Sequence, residues 1–244
     1  MHRFFIPRPF KQEMQITGQD AHHMIDVLRM QPGDRIQVVA DDGVSFIGEI
    51  IAIDTNTATV SAREILRESH EPDVKISLFQ GLAKGDKMEL IIQKAVEIGV
   101  SDIFPVAMTH SVVVLEASKA EKKVERWQKI AESAAKQSKR DIIPPVHEVM
   151  TLQEALQKKN NDLLLVAYES ENKVSLKEAL QLHKNVKTIG LVIGPEGGLA
   201  AEEVEEAVAC GGIAVSLGRR ILRTETAGLV AATAILYETD NLGL

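Results

Sequence analysis

The apolar positions of the chain follow two different periods. Over the first 70 residues they alternate with polar positions in short runs. Arg35–Ala40 alternates and is rich in β-branched residues, Asp41-Asp42-Gly43 follows as a hairpin signal, and the pattern resumes over Val44–Ile53. Thr57–Ile65 repeats it after an Asp54-Thr55-Asn56 turn. Between Met14 and Gly33 the spacing predicts one short helix, with Met24, Val27 and Leu28 apolar and a stop at Pro32-Gly33. Short strands with a single helix predict a small β-barrel. The stretch from Arg67 to Pro72 is polar and proline-marked, which divides the chain into domains 1–71 and 72–244.

From Val74 onward apolar runs alternate with helical patterns. The runs are Ile76–Leu82, Ile103–Met108, Leu163–Tyr168, Ile189–Gly194 and Ile213–Leu217. Asp86-Lys87-Met88-Glu89 has the form of a capping box, as do Thr151-x-x-Glu154 and Ser175-x-x-Glu178. Strands that are apolar nearly throughout, with helices between them, predict an α/β fold whose parallel sheet is covered on both faces.

Composition narrows the classes. The single cysteine, Cys210, can form neither an internal disulfide nor a cysteine-based zinc site, and it reads as a packed small residue near a helix end. His22-His23 has no carboxylate or cysteine at ligand spacing, so no metal site is predicted. The longest uncharged apolar run, Thr226 to Tyr237, is too short to span a bilayer, and the N-terminus has no apolar signal core. These features predict a soluble, cytoplasmic protein with no membrane partner. A net charge of −7 argues against a non-specific nucleic-acid coat. One segment departs from that balance: residues 119–140 hold eight Lys and Arg against three Glu. Val124, Trp127, Ala131, Ala134 and Ala135 recur there at helical spacing, which places Trp127 in the core and leaves a basic outer face.

In an open parallel sheet, ligands bind beyond the C-terminal strand ends. Two loops there carry unusual chemistry. Gly194-Pro195-Glu196-Gly197-Gly198-Leu199 allows a ligand to approach main-chain atoms closely. It is not a phosphate loop, since no Lys-Ser/Thr follows and Glu196 with Glu202, Glu203, Glu205 and Glu206 would repel phosphate. The second loop, Leu217 to Ala227, sets Ile221 and Leu222 as an apolar wall among Arg219, Arg220 and Arg223. Together they point to a neutral or cationic cofactor beside an anionic polymer.

These two segments, G-P-E-G-G-L at 194–199 and L-G-x-x-I-L-R-T-E-T-A at 217–227, resemble the SPOUT class of S-adenosylmethionine-dependent RNA methyltransferases, and most closely the RsmE family. His2-Arg3-Phe4-Phe5, Val27-Leu28-Arg29 with Gly33-Asp34, Lys84 to Glu89, and Gln137-Ser138-x-Arg140 before Pro144-Pro145 are similar to the same family. The blocks extend from residue 2 to residue 227. One position departs: His110 stands before Ser111-Val112-Val113 where the resemblance leads one to expect Arg.

The resemblance implies a PUA-like β-barrel RNA-binding domain followed by a trefoil-knotted methyltransferase domain, working as a homodimer. It implies methylation of N3 of one uridine in 16S rRNA of the small ribosomal subunit. Two other readings fit the same blocks: a SPOUT enzyme acting on a ribose 2′-hydroxyl or on tRNA, and an inactive RNA-binding homologue. Ile193, Gly194, Pro195, Glu196, Gly197 and Gly198, with Leu217, Gly218, Ile221, Leu222 and Arg223, are the expected S-adenosylmethionine contacts. N3 must lose its proton before it can attack, so a base or anion-stabilising cations are needed. Arg223 is the candidate for the latter, Glu225 and Glu196 the rival bases. Phosphate contacts are expected from Arg3, Arg8, Arg29 and Lys84, and from Arg126, Lys136, Lys139 and Arg140 of the basic segment.

Overall fold

The computed structural model describes residues 1–67, 69–113 and 116–242, so Glu68 of the boundary stretch lies outside the described residues. The chain divides into two units, Met1–Glu71 with Lys139–Ile142 and Pro72–Ser138 with Ile143–Leu244.

The first unit is built on β1 (Arg3–Ile6), β2 (Glu13–Thr17), β3 (Arg35–Ala40), β4 (Ser45–Asp54) and β5 (Thr57–Ile65). They form a five-stranded sheet in the order β1-β3-β4-β5-β2. β3, β4 and β5 are an antiparallel meander whose turns are the two read from sequence, and β1 adds to β3 in parallel. The strand β2 was not among those read from sequence. Met14 and Ile16 are buried while Glu13, Gln15 and Thr17 face solvent, a period of two that lets β2 pair with β5. The helix α1 starts only at Gly18, spans Gly18–His22, and continues as a π-helical turn over His23–Val27. That extra winding buries Met24 but carries Val27 out to 60% exposure. Phe4, Ile36, Phe46, Ile50 and Val60 complete the core.

The second unit carries β6 (Lys75–Gly81), β7 (Asp102–Val106), β8 (Leu163–Ala167), β9 (Thr188–Ile193) and β10 (Ile213–Val215), one for each apolar run. All pairings are parallel, in the order β10-β8-β9-β6-β7. Among the described residues six helices accompany them: α2 (Lys87–Ile98), α3 (Ala117–Gln137), α4 (Leu152–Lys158), α5 (Leu176–Leu182), α6 (Ala201–Ala209) and α7 (Thr224–Glu238). Alternation along β6 sends Phe79 into a core with Leu152, Ala155, Val204 and Ala207 of α4 and α6. Leu78 points the other way, beneath Gly228 of α7. Thr151 and Ser175 cap α4 and α5 with complete capping boxes. Asp86 makes no such cap, because its backbone (φ −82°, ψ 0°) does not take the extended shape that aims a cap side chain at the first turn. Trp127 is buried, whereas Cys210, the C-cap of α6, is exposed and not packed. Among the described residues no helix is long and apolar enough to cross a membrane.

Candidate active site

The order β8-β9-β6 brings the loops after these strands together, with the one after β10 beside them. The Gly194–Leu199 turn closes with Gly198 N–H donating to the Pro195 carbonyl at 3.0 Å. Gly198 has φ +73°, and a Cβ there would meet the Glu169 carboxylate at 3.1 Å. A Cβ on Gly197 would lie 2.8 Å from Cβ of His110, so the loop rests directly on the segment after β7. Glu203 fixes that segment from below: its carboxylate accepts from Thr109 N–H at 2.7 Å and from Ala200 N–H at 2.9 Å.

Thr224, the first residue of α7, joins the two loops read from sequence. Its buried hydroxyl donates to the Gly194 carbonyl at 2.7 Å and accepts from Gln80 Nε2 at 2.8 Å. Gln80 is fully buried and also donates to the Gly81 carbonyl. The ends of β6 and β9 and the start of α7 are therefore held by one short hydrogen-bonded strut.

Between these loops lies a cavity of about 800 Å³. Of the residues expected there, Ile193 to Glu196, Gly198, Leu217, Gly218, Ile221, Leu222, Arg223 and Glu225 line it, while Gly197 supports it from the His110 side. Ile221 is 83% exposed, an apolar tip between arginines. The wall carries four cations, Lys87, Arg219, Arg220 and Arg223, and four carboxylates, Glu169, Glu171, Glu196 and Glu225.

Glu196 is tightly engaged. Its Oε1 accepts from Lys84 N–H at 3.0 Å and from Lys87 Nζ at 2.9 Å. Burial by itself would raise its pKa, but these donors outweigh burial and hold it below the ordinary glutamate value. The hydrogen bond from Lys87, with the Glu196 and Glu225 charges, in turn raises the lysine. Lys87 Nζ also lies 3.6 Å from Glu225 Oε2, a buried oxygen with no hydrogen bond among the described residues.

The nucleic-acid candidates divide by burial. Arg8, Arg29, Lys84 and Lys139 are exposed. Arg126 is exposed but paired with Glu89 at 2.8 Å, and Lys136 pairs with Glu132 at 2.7 Å. Arg3 and Arg140 are not surface cations. Arg3 is 7% exposed, donating to the Arg140 carbonyl and to Asp141 at 2.8 Å; Arg140 is 3% exposed and paired with Glu71. Both lie within the first unit, where their charges are consumed by carboxylates, so they are structural residues and cannot grip phosphate as expected. The sequence assigns no site role to Gln80, nor to Lys87, which is named only within the Lys84–Glu89 block. A lone glutamine within the apolar run Ile76–Leu82 was the available signal for the first.

Residues 70–236 match the family model described as an RNA methyltransferase domain, and residues 16–62 match that of an RNA methyltransferase PUA domain. Ribosomal RNA small subunit methyltransferase E of Bacillus subtilis is 40% identical over 254 residues, covering 99% of this chain and 98% of its own. The chain belongs to the RsmE family. Among solved structures, an RsmE protein, the ribosomal RNA small subunit methyltransferase E of Neisseria gonorrhoeae bound to S-adenosyl methionine, is 33% identical with a TM-score of 0.83, covering 97% of each chain. A methyltransferase of Legionella pneumophila, solved with bound cofactor SAM, is 28% identical with a TM-score of 0.83 over 96% of each chain. RsmE membership accounts for both units, the parallel α/β sheet and the PUA-like domain before it.

Proposed function

We propose that this chain transfers a methyl group from S-adenosylmethionine to N3 of a specific uridine in 16S rRNA of the small ribosomal subunit. The observation that carries the reading is the single cavity formed by the Gly194–Leu199 and Leu217–Arg223 loops and tied by Thr224. Relatives of full-length similarity are named as small-subunit rRNA methyltransferases, and two solved neighbours hold this cofactor.

The residues present fit the cofactor. The cavity is of ligand size, and its mixed cations and carboxylates suit a molecule that carries a sulfonium, an ammonium and a carboxylate. Main-chain groups of Ile193–Gly198 and Leu217–Leu222 hold the adenosine, with Ile221 and Leu222 against the base. Bound S-adenosylmethionine supplies an electrophilic methyl carbon already activated by its positive sulfur, so the protein's task is alignment and exclusion of water. Arg223, exposed at the rim, stabilises the deprotonated uracil or anchors a neighbouring phosphate. Arg8 and Arg29 of the PUA-like domain (1–71) and Lys84 of the methyltransferase domain (72–244) position the RNA without reading its sequence. The reading includes a trefoil knot at the α7 end of the second domain and a homodimer in the cytoplasm. Val230 and Tyr237, apolar residues of α7 that remain 44% and 71% exposed, support a partner chain on that helix.

Calorimetry tests the cofactor, and mapping of the modified atom on rRNA lacking the modification tests the reaction. Binding is expected in the intact protein and should weaken in Gly197→Val, whose side chain would strike His110, and in Leu222→Asp. The protein should sediment at twice the mass of one chain. No cofactor binding, or a methyl group found on a ribose oxygen, would overturn the reading.

A further inference from the structure

The two carboxylates nearest Lys87 are bonded differently, and the lysine explains the difference. Glu196 Oε1 receives two donors, the Lys84 N–H and Lys87 Nζ, and its loop is thereby fixed against the start of α2. Glu225, in the first turn of α7, is one of the residues lining the cavity, and its Oε2 is buried yet receives no hydrogen bond among the described residues. A buried acceptor left without a donor is costly, and a place in the first turn of a helix suits a carboxylate but does not explain the bare oxygen. The ammonium of Lys87 approaches it to 3.6 Å, near enough to hold the negative charge and too far to occupy the oxygen as a normal hydrogen bond. The other titratable groups around the cavity are Tyr168, Glu169 and Glu171 after β8 and Arg219, Arg220 and Arg223 after β10. None of them donates to Glu225 Oε2.

We infer that Lys87 is a positioning residue that divides the labour of the two carboxylates, pinning Glu196 to the loop and keeping Glu225 Oε2 as the acceptor of the uracil N3 proton. The inference rests on the N3-methylation reading above. In the step it describes, Glu225 Oε2 takes the proton as the N3–H bond breaks. The electron pair left on N3 forms the new N–C bond to the methyl of the sulfonium donor, and the pair of the broken S–C bond stays on sulfur. The imide is a far weaker acid than a carboxyl group, so Arg223 and its neighbours assist by stabilising the ring anion. Glu196 is less suited to the same task, because a proton even on its other oxygen would remove the charge that strengthens the two hydrogen bonds on Oε1.

The test uses the full chain and separates turnover from cofactor affinity. Glu225→Gln is expected to lower turnover at saturating cofactor by about 100-fold or more while leaving the calorimetric affinity for S-adenosylmethionine unchanged. Glu196→Gln should show the reverse split, with weaker affinity and turnover largely kept. Lys87→Met should impair both and Lys87→Arg should restore both. A readout without activity comes from carbon NMR of glutamate-labelled apoprotein: the Glu196 carboxyl should titrate at higher pH in Lys87→Met, because its strongest donor is gone. An RNA-active wild type whose Glu225→Gln variant keeps a third or more of the turnover overturns the inference alone. So does an unmoved Glu196 titration in Lys87→Met. A wild type that neither binds the cofactor nor methylates N3 overturns the underlying reading as well.

Discussion

Arg140 shows how a cation in a basic stretch can have nothing to do with solvent. Its guanidinium pairs with Glu71, whose other oxygen accepts from the Asp141 N–H at 2.8 Å, and Asp141 in turn takes Arg3 and the His70 N–H. Removing one member strands the rest. Arg140→Ala is expected to lower unfolding stability by about 2–4 kcal/mol, near the range for breaking a buried ion pair and softened because Glu71 keeps its backbone donors. Chemical denaturation checks this; a change below about 0.5 kcal/mol, typical of a surface residue, would return Arg140 to the RNA-binding set. The sequence could not separate Arg140 from Lys139, since both sit in one run of positive charge. The separation comes from Lys139, whose left-handed backbone (φ 61°) ends α3 and turns the next residues inward.

Helix α3 keeps a basic face, but a smaller one than a charge count implies. Lys119, Arg126 and Lys136 are paired with Glu116, Glu89 and Glu132, whereas Lys122 and Lys129 have no ion pair among the described residues and Lys123 lies over the Trp127 ring. If α3 meets RNA, replacing Lys122, Lys123 and Lys129 by Gln should reduce the slope of log affinity against log salt by about 2–3. Lys136→Gln alone should change it by well under 1, because its charge is already compensated. Filter binding over a salt series checks both, and equal slopes in all variants would return the helix to ordinary solvated surface. At this scale the sequence was informative where period and composition speak locally. Every strand of the second sheet was legible as an apolar run, and Thr151 and Ser175 as helix caps. β2 was not, because Met14 and Ile16 give only two apolar positions of an alternating pattern, and pairing with β5 settles the matter. The two glycine and arginine loops were visible for their composition. Gln80 and Lys87 were not, since their importance depends on β6 lying beside β9, a fact of strand order that no local pattern encodes.

The whole chain is expected to be sensitive to acid. Burial would raise the pKa of Asp102, yet hydrogen bonds from His147 Nε2 and Lys159 Nζ bring it below the ordinary aspartate value, and Glu196 is lowered in the same manner by Lys87 and Lys84. A carboxylate depressed by folding stabilises the native state above its unfolded value and loses that contribution as pH falls through its folded value. Thermal stability should therefore be level near neutrality and fall once the pH drops below about 4. Asp102→Asn should be less stable at pH 7 and show a shallower acid limb; an unchanged limb would mean that this pair contributes nothing. The excursion of Lys139–Ile142 into the first unit has a consequence for synthesis. Arg3 leaves the ribosome early, but its carboxylate, Asp141, lies 138 residues further along. At roughly 5–20 residues per second, the N-terminal unit waits about 7–28 s before its buried arginine can be neutralised. All of β6, α2, β7 and α3 is translated in that interval, so the first unit to emerge cannot be completed until a large part of the second has already been made.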